Sequence, residues 1–286
     1  TKVETVPAGE HRTGFENLRS ITGRYFRTFS LHGTDETEEQ QKGIIGFMKK
    51  EMLYLKDSAA KMGIELSDLQ LEQFDTYYEM LVEKNKVMNL TAITELEEVV
   101  QKHFLDSISL IKVEKLNQDI SIIDLGTGAG FPGIPLKIAF PELEICLADS
   151  LNKRVLFLNE VIEELELKKI SAVHGRAEEL ARQKGYREQF DLCVSRAVAN
   201  LATLSEYCLP FVKVGGKFIS YKANEVEEET KQAEHALEVL GGACVDIQKF
   251  QLPDSEMNRA FVIIEKKKKT PAIYPRKAGT PSKKPL

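Results

Sequence analysis

The stretch Ile122-Ile123-Asp124-Leu125-Gly126-Thr127-Gly128-Ala129-Gly130-Phe131-Pro132-Gly133 decides the fold of this chain. A short apolar strand ends in an acid, glycines alternate with small residues, and a helix begins. Glycine lets the backbone approach a ligand closely because it has no side chain. The free N–H groups of the following helix suit a carboxylate or a phosphate. The stretch therefore predicts a nucleotide-like cofactor across the end of a parallel sheet, the alternative being a tight turn without a ligand.

Two cofactor patterns overlap in this stretch. From Gly128 it matches G-x-G-x-x-G, the dinucleotide pattern. From Asp124 it matches D-x-G-x-G-x-G, the pattern of S-adenosylmethionine sites, and a carboxylate at Asp124 suits the methionine ammonium. A second acid, Asp149, ends the next apolar run, where either cofactor places its ribose diol. We assign cofactor binding to Asp124, Gly126, Gly128, Gly130 and Asp149.

The order of strands and helices separates the two cofactors. From residue 121 onward, apolar strand patterns alternate with helical patterns, which predicts a parallel sheet covered on both faces. Residues 253–258 are too few for a helical crossover, so the last two strands should pair antiparallel. We predict an α/β, Rossmann-like S-adenosylmethionine-dependent methyltransferase fold, a seven-stranded sheet with a C-terminal antiparallel hairpin, preceded by a small helical subdomain. The predicted strands are 121–125, 143–148, 170–174, 190–195, 216–221, 243–250 and 260–265.

Composition along the chain predicts four segments. Residues 1–47 show no sustained apolar periodicity, and we interpret them as a disordered extension or a non-native leader, with a native arm as the alternative. Residues 48–115 repeat apolar side chains at helical spacing and form the helical subdomain. Residues 116–268 form the methyltransferase domain, and residues 269–286 form a basic, proline-rich tail.

Overall composition excludes several classes of protein. Of the 286 residues, 42% are hydrophobic, as in an ordinary globular protein. No apolar run approaches the roughly 18 residues that span a bilayer, and no secretory leader is visible. The four cysteines are scattered and lack a C-x-x-C pair, which favours buried thiols over disulfides, metal ligands or nucleophiles. We expect a cytoplasmic protein without a metal site.

Charge is distributed unevenly. The whole chain carries a net charge of −5, yet residues 265–286 contain eight lysines and arginines against a single acid. A basic end on an acidic body indicates an anionic partner, nucleic acid first, and a solubilising disordered end is the alternative.

One segment limits which atom a methyl group could be transferred to. It follows the fourth predicted strand and reads Ser195-Arg196-Ala197-Val198-Ala199. Enzymes that methylate exocyclic amines place an acid or Asn, two prolines and an aromatic residue here, and these are missing. Pyrimidine C5 methylation uses a cysteine after a proline, and the chain has no Pro-Cys pair. The target atom is then a nucleophile in its own right, such as guanine N7, and alignment alone supplies up to about 7–11 kcal/mol. Arg196 either holds a carboxylate or phosphate or makes a structural ion pair.

From about residue 50 to its end, the chain resembles the bacterial small-subunit ribosomal RNA guanine-N7 methyltransferases, the glucose-inhibited division protein B family. Any one of the shared motifs is weak, but their order is specific. The motifs are Asn89-Leu90-Thr91, His103-Phe104-Leu105-Asp106-Ser107, residues 124–136, Asp149-Ser150 with Lys153-Arg154, Gly175-Arg176-Ala177-Glu178, Ser195-Arg196-Ala197 and Tyr274-Pro275-Arg276-Lys277-Ala278-Gly279-Thr280-Pro281.

The resemblance implies methyl transfer from S-adenosylmethionine to N7 of a guanine in 16S ribosomal RNA, in a loop of the decoding region. It places the cofactor at Gly126, Phe131, Ala177, Glu178 and Arg196, with Asp149 at the ribose. Our hypotheses for the target pocket are Asn89, His103, Asp106, Lys222 and Arg196, although His103 and Asp106 also fit a structural capping pair. Predicted RNA contacts are Arg276, Lys277, Lys153 and Arg154, and the resemblance implies that the tail over residues 269–286 faces the RNA.

The implied partner is the small ribosomal subunit. We expect a monomer with no obligate protein partner and no membrane association. Two other functions fit parts of the pattern: a ribosome-assembly factor that binds S-adenosylmethionine without turnover, and an NAD-dependent oxidoreductase. The short final hairpin opposes the second of these.

Overall fold

The computed structural model describes residues 48–116, 119–196, 199–223 and 225–286. The chain divides into the units Thr1–Met48 and Lys49–Leu286, and everything reported below lies in the second unit apart from Met48. The predicted extension over residues 1–47 lies outside the described residues. The boundaries predicted at 115/116 and 268/269 fall inside the second unit and stay predictions.

Seven strands form one mixed sheet in the order β3-β2-β1-β4-β5-β7-β6. The pairs within β3-β2-β1-β4-β5 are parallel, whereas β7 runs antiparallel to both β5 and β6. The predicted fold class and its closing hairpin are therefore confirmed. The strands are β1 (Ser121–Leu125), β2 (Glu144–Asp149), β3 (Ile170–His174), β4 (Phe190–Arg196), β5 (Val212–Lys222), β6 (Gly242–Gln251) and β7 (Asn258–Lys266).

Helices precede the sheet and connect its strands. A π-helical segment, Val100–Leu105, and a 3-10 turn, Ser109–Lys112, interrupt the helical region before β1. A second 3-10 turn, Leu209–Phe211, leads into β5. The α-helices are α1 (Lys50–Ala60), α2 (Asp68–Met88), α3 (Leu96–Val99), α4 (Asp106–Ile108), α5 (Gly133–Ala139), α6 (Asn152–Glu164), α7 (Ala177–Leu180), α8 (Leu201–Cys208), α9 (Glu227–Gln232), α10 (Glu234–Leu240) and α11 (Thr280–Lys283).

Helix α2 shows how local sequence sets the helical region. Ser67 begins it with a capping box, in which the Ser67 hydroxyl accepts from the Gln70 N–H and the Gln70 side chain accepts from the Ser67 N–H. Its buried residues recur at helical spacing, which aligns them on one face against the core. That face consists of Leu71, Phe74, Tyr77 and Leu81.

The core between the sheet and helices α8 and α10 contains a lysine, Lys266, that sequence analysis counted among the charges of the basic end of the chain. Lys266 is fully buried, and its ammonium donates to the Leu209 and Val212 carbonyls at 2.6 and 3.2 Å. Burial lowers its pKa to about 8. Lys266 therefore fastens the end of β7 and does not add to an anion-binding tail. The thiols Cys146, Cys193 and Cys208 are buried and free, as predicted.

The topology brings the candidate functional residues to one edge of the sheet. Parallel strands β1, β2 and β4 end at Leu125, Asp149 and Arg196, and carboxyl ends of parallel strands share an edge. Among the described helices, none is both long enough and apolar enough to cross a bilayer.

Candidate cofactor and target sites

The loop after β1 is held by the carboxylate that ends the apolar run. Oδ2 of Asp124 accepts from the Thr127 hydroxyl at 2.6 Å and from the Gly133 N–H at 2.8 Å. Its other oxygen, Oδ1, is buried and lacks a hydrogen-bond partner among the described residues. Burial raises the pKa of Asp124 to about 6, although both hydrogen bonds oppose that shift. Asp124 thus organises the loop and keeps one acceptor unsatisfied.

The glycines of this loop serve two different neighbours. Gly128 donates its N–H to Oδ2 of Asp149 at 3.0 Å, and an added Cβ would meet only a backbone oxygen at 4.0 Å. At Gly130, φ is +111° and a Cβ would lie 2.8 Å from the Tyr77 hydroxyl. Tyr77 is fully buried and donates to the Ala129 carbonyl at 2.7 Å. The close approach that the sequence suggested toward a ligand is, at Gly130, an approach to helix α2.

A cavity of about 210 Å³ lies beside this loop, at the carboxyl ends of β1, β2 and β3. It holds four of the residues that sequence assigned to the cofactor, namely Gly126, Asp149, Ala177 and Glu178. The predicted residues Asp124, Gly128, Gly130, Phe131 and Arg196 are not among its lining residues. Its walls also include Leu125, Ala148, Ser150, Gly175, Arg176, Leu204, Tyr207, Gly279 and Ser282.

Asp149 is almost fully buried at the end of β2. Its Oδ1 accepts from the Leu151 N–H at 2.8 Å, and its Oδ2 accepts from Gly128 and from Arg154 at 3.3 Å. Three donors of this kind hold the carboxylate in a fixed orientation. Sequence predicted that Arg154 contacts RNA, yet here its guanidinium lies against Asp149.

The C-terminal segment, residues 270–286, forms one wall of the cavity, and we call it the C-terminal strap. The Gly279 N–H donates to Oε1 of Glu178 at 3.0 Å, and Ser282 also lines the cavity. Sequence analysis assigned this segment to the RNA-facing surface and missed its place beside the cofactor residues. Only the isolated Gly279, which adopts φ +79°, hinted at a tight turn there.

A second group of residues, the arginine–aspartate cluster, comprises His103, Asp106, Phe131, Arg196 and Arg259. Oδ2 of Asp106 accepts from Arg196 at 2.8 Å, and Oδ1 accepts from Arg259 at 2.7 Å. The Asp106 side chain is 7% exposed, against 15% for Arg196 and 23% for Arg259. Sequence analysis missed Arg259, which reaches the cluster from β7 with no local motif to mark it.

His103 packs flat against the ring of Phe131, with ring centroids 4.5 Å apart. Its Nε2 lies 3.0 Å from the Thr91 hydroxyl, and its Nδ1 lies 3.1 Å from the Lys102 carbonyl. Burial, and then the neighbouring Arg196 charge, lower the pKa of His103 to about 4. The imidazole is therefore neutral at pH 7. Arg196 also lies over Phe131, 5.1 Å from the ring centroid.

Two predicted target-pocket residues, Asn89 and Lys222, make no hydrogen bond or ion pair with the side chains of this cluster within the described part of the chain. Asn89 is exposed and ends helix α2 in a left-handed conformation, with φ +50° and ψ +57°. The loop beyond it is held instead by Asn85, whose Oδ1 accepts from the Leu90 and Thr91 N–H groups. Lys222 donates to Glu229 at 2.8 Å. Their roles toward a target base stay predictions.

The predicted RNA contacts differ in what the structure leaves exposed. Lys277 and Lys153 are exposed. Arg276 is bound to the fully buried Glu206, with one N–O distance of 2.6 Å. Phosphate contacts by these residues remain predictions, with the two lysines in the more accessible positions.

The cavity and its loop fit the predicted cofactor, S-adenosylmethionine. The unsatisfied Oδ1 of Asp124 matches the need of a methionine ammonium for an acceptor. Gly128 leaves open space where a side chain would fill it, and Asp149 and Glu178 present carboxylates for a ribose diol and an adenine amine. Within residues 48–116, 119–196, 199–223 and 225–286, no group of three or more His, Cys, Asp or Glu side chains is arranged to hold a metal ion.

Comparison with known proteins finds a matching family and several relatives. The profile of the GidB family, described as rRNA small subunit methyltransferase G, matches residues 70–258. A protein of Lachnoclostridium phytofermentans named Ribosomal RNA small subunit methyltransferase G is 59% identical over 225 residues, or 79% of this chain and 93% of that one. Its namesake from Alkaliphilus metalliredigens is 53% identical over 239 residues, or 84% of this chain and 100% of the relative. Among solved structures, a SAM dependent methyltransferase from Aquifex aeolicus is similar with a TM-score of 0.46 at 16% identity, over 64% of this chain and 97% of that chain.

Proposed function

This chain belongs to the GidB family of ribosomal RNA small subunit methyltransferase G proteins, and from that premise we propose that it methylates N7 of one guanine in 16S ribosomal RNA. The methyl donor is S-adenosylmethionine. The substrate is the RNA of the small ribosomal subunit, and the protein acts as a cytoplasmic monomer.

The observation that carries this proposal is the meeting of two sites at one edge of the sheet. The cavity walls lie at the ends of β1, β2 and β3, and the arginine–aspartate cluster lies at the end of β4, the strand beside β1. Arg196 lies close enough to Asp124 for its positive charge to oppose, in part, the rise that burial causes in the pKa of Asp124. A donor bound at the loop after β1 therefore lies next to the cluster.

S-adenosylmethionine, when bound, would supply a methyl carbon that its sulfonium makes electrophilic, for transfer to the N7 lone pair with S-adenosylhomocysteine as the leaving group. N7 loses no proton in this step, so no general base is needed. The residues of the chain act by position. Asp124 and Asp149 hold the loop and present acceptors, while the neutral His103 and the ring of Phe131 form a flat surface beside Arg196. Alignment of this kind is worth up to about 7–11 kcal/mol.

The guanidinium groups suit an RNA substrate rather than the sulfonium. Asp106 carries one negative charge and contacts two arginines, so the cluster has a net positive charge while His103 is neutral. A positive cluster attracts the phosphates that flank a target base, and Arg is suited to phosphate by its forked donors.

The proposal is tested by mapping N7-methylguanosine in 16S RNA. Deletion of the gene should abolish borohydride–aniline cleavage at a single guanine, and the wild-type gene should restore it. An Asp124→Ala gene should fail to restore it, whereas Lys84→Met, which removes a surface ion pair with Glu160, should succeed. Cleavage that persists in the deletion strain would show that the assignment is wrong.

Purified protein separates the two other functions. Transfer of labelled methyl groups to small subunits from the deletion strain is expected for an enzyme and not for a binder without turnover. Calorimetry should show binding of S-adenosylhomocysteine and not of NADH, and the reverse result would favour an oxidoreductase.

A further inference from the structure

We infer that Glu206 and Arg276 are positioning residues for cofactor binding: their buried ion pair holds the C-terminal strap so that Gly279 and Ser282 complete the wall of the cavity. The inference rests on the proposed function, because it takes the S-adenosyl cofactor as the occupant of that cavity. It gives the strap a role other than the RNA contact that its basic sequence suggested.

The ion pair between Glu206 and Arg276 is buried on its carboxylate side and makes several hydrogen bonds, unlike an exposed surface ion pair. Glu206 is fully buried in helix α8. Arg276 donates to it from Nε at 3.0 Å to each oxygen, from Nη2 at 2.6 Å and from its own backbone N–H at 2.7 Å. Charge-assisted, bidentate contacts of this kind are the strong class of hydrogen bonds. A buried carboxylate that loses such a partner is left uncompensated, which is why the pair fixes the strap.

Other contacts hold the strap on either side of Arg276. Arg187 donates to the Thr270 and Tyr274 carbonyls at 2.8 and 3.0 Å, and Arg182 donates to the Pro275 carbonyl at 2.6 Å. Tyr274 and Leu286 pack against the main apolar core. The strap is thus a fixed wall of the domain.

The strap reaches the cavity just beyond the ion pair. Three residues after Arg276, the Gly279 N–H donates to Oε1 of Glu178, which is 6% exposed. Helix α8 links the two features because Tyr207, the residue after Glu206, lines the same cavity. Orientation of the Glu178 carboxylate therefore depends on the strap, and the strap depends on the pair.

The charge balance separates this role from RNA binding. The Arg276 guanidinium already neutralises Glu206, so its attraction for a phosphate is largely cancelled. Lys277, the next residue, is exposed and retains its charge for such a contact. The two adjacent cations thus serve different partners.

The experiment measures cofactor affinity without RNA, using the full-length protein and S-adenosylhomocysteine in a calorimeter. For Arg276→Met we expect the Kd for S-adenosylhomocysteine to rise about tenfold or more. That amount follows if Glu178, no longer oriented by Gly279, loses one charge-assisted hydrogen bond to the cofactor. Arg276→Lys should recover part of that loss. Lys277→Met should leave this Kd unchanged and weaken binding of 16S RNA instead.

A matched control and a second measurement keep the result decisive. Lys84→Met also removes one cation and one ion pair between residues distant in sequence, Lys84 and Glu160, and should leave the Kd unchanged. In methyl transfer, Arg276→Met should raise the KM for S-adenosylmethionine while kcat changes little. Hydrogen exchange should increase in the strap and around Glu178 while the strands stay protected, which excludes global unfolding.

An unchanged Kd in Arg276→Met, with wild-type binding intact, overturns the inference. A wild-type protein that binds no S-adenosylhomocysteine overturns the proposed function as well.

Discussion

The cavity and the arginine–aspartate cluster lie at the same sheet edge but are assembled in opposite ways. Most of the cavity wall comes from short runs that directly follow β1, β2 and β3. The cluster takes its five side chains from the helical region, the loop after β1, and strands β4 and β7. Local backbone geometry therefore builds the cavity, whereas long-range packing and charge pairing build the cluster. Sequence motifs therefore reveal a site built by local backbone geometry, such as the cavity, far better than a site built by long-range packing, such as the cluster.

The loop after β1 joins the two regions, and its glycines divide between them. Gly128 contacts Asp149 on the cavity side, and Gly130 contacts Tyr77 on the side of the helical region. Substitutions should therefore affect folding and cofactor binding to different extents on the two sides.

The largest effect should follow from breaking the cluster at its centre. Asp106→Asn removes the buried charge that two partly buried guanidinium groups share, and we expect a loss of about 3–5 kcal/mol in the free energy of unfolding. Methyl transfer should fall by about 100-fold, because Arg196 and Arg259 lose their common anchor and their alignment. Urea unfolding and single-turnover assays measure the two effects.

Asp191→Asn is the matched control for that change. Its Oδ1 pairs with Lys213, and the two side chains are 42% and 45% exposed. Its Oδ2 accepts from the Ser121 N–H and hydroxyl, and the amide oxygen of an asparagine can accept in its place. An exposed pair contributes about 0–1 kcal/mol, so this variant should unfold near the wild-type midpoint. Equal losses in Asp106→Asn and Asp191→Asn would contradict the view that the cluster is a buried ionic unit.

A smaller effect should separate the two glycines. Gly130→Ala forces a Cβ to within 2.8 Å of the Tyr77 hydroxyl at φ +111°, and we expect about 3 kcal/mol of destabilisation from overpacking and backbone strain. Gly128→Ala should cost about 1 kcal/mol, since only its φ of +65° is unfavourable.

Cofactor binding should show the reverse order. Gly128→Ala should weaken S-adenosylhomocysteine binding more than Gly130→Ala does, although it costs the fold less stability. The reason is that the methyl group added at position 128 enters the open space beside Asp149. Denaturant curves and calorimetry on both variants check this. If Gly130→Ala proves the more stable of the two, the division of the loop is wrong.

A further effect, smaller than that of Gly130→Ala, is a pH dependence that distinguishes the two regions. His103 in the cluster has its pKa lowered to about 4, below the usual value of about 6.5. The unfolded chain therefore binds the proton first, and this group makes the fold less stable as the pH falls from about 6.5 to about 4. Asp124 has its pKa raised to about 6, so protonation of the folded state adds stability over much the same interval. The two contributions oppose each other.

His103→Gln removes one side of that balance. From pH 6.5 to pH 4.5, the variant should gain about 2 kcal/mol of unfolding free energy relative to wild type. Urea unfolding at the two pH values measures the difference, and His235→Gln, at an exposed site, serves as the control. A parallel pH response in His103→Gln and wild type would show that this imidazole is not held neutral by burial.

Sequence predicted much of the fold and four of the thirteen residues that line the cavity because both depend on local patterns. Strands β1 and β3 fall at their predicted residues, and β5 extends four residues earlier than predicted. Asp149 and Glu178 were found because each lies at or just after the end of a strand. Arg259 and Glu206 were missed because their partners lie 70 or more residues away along the chain, and nothing in their neighbours marks them.

The sequence by itself determined that an acid and alternating glycines form a turn at the end of the first strand, and that the chain ends its sheet in an antiparallel hairpin. Those features follow from backbone conformation and from connection length, which adjacent residues specify. Only the tertiary structure decided that Arg276 pairs with Glu206 and that Asp106 contacts two arginines. The physical reason is that buried charges find partners by proximity in space, and proximity arises from the packing of the whole domain.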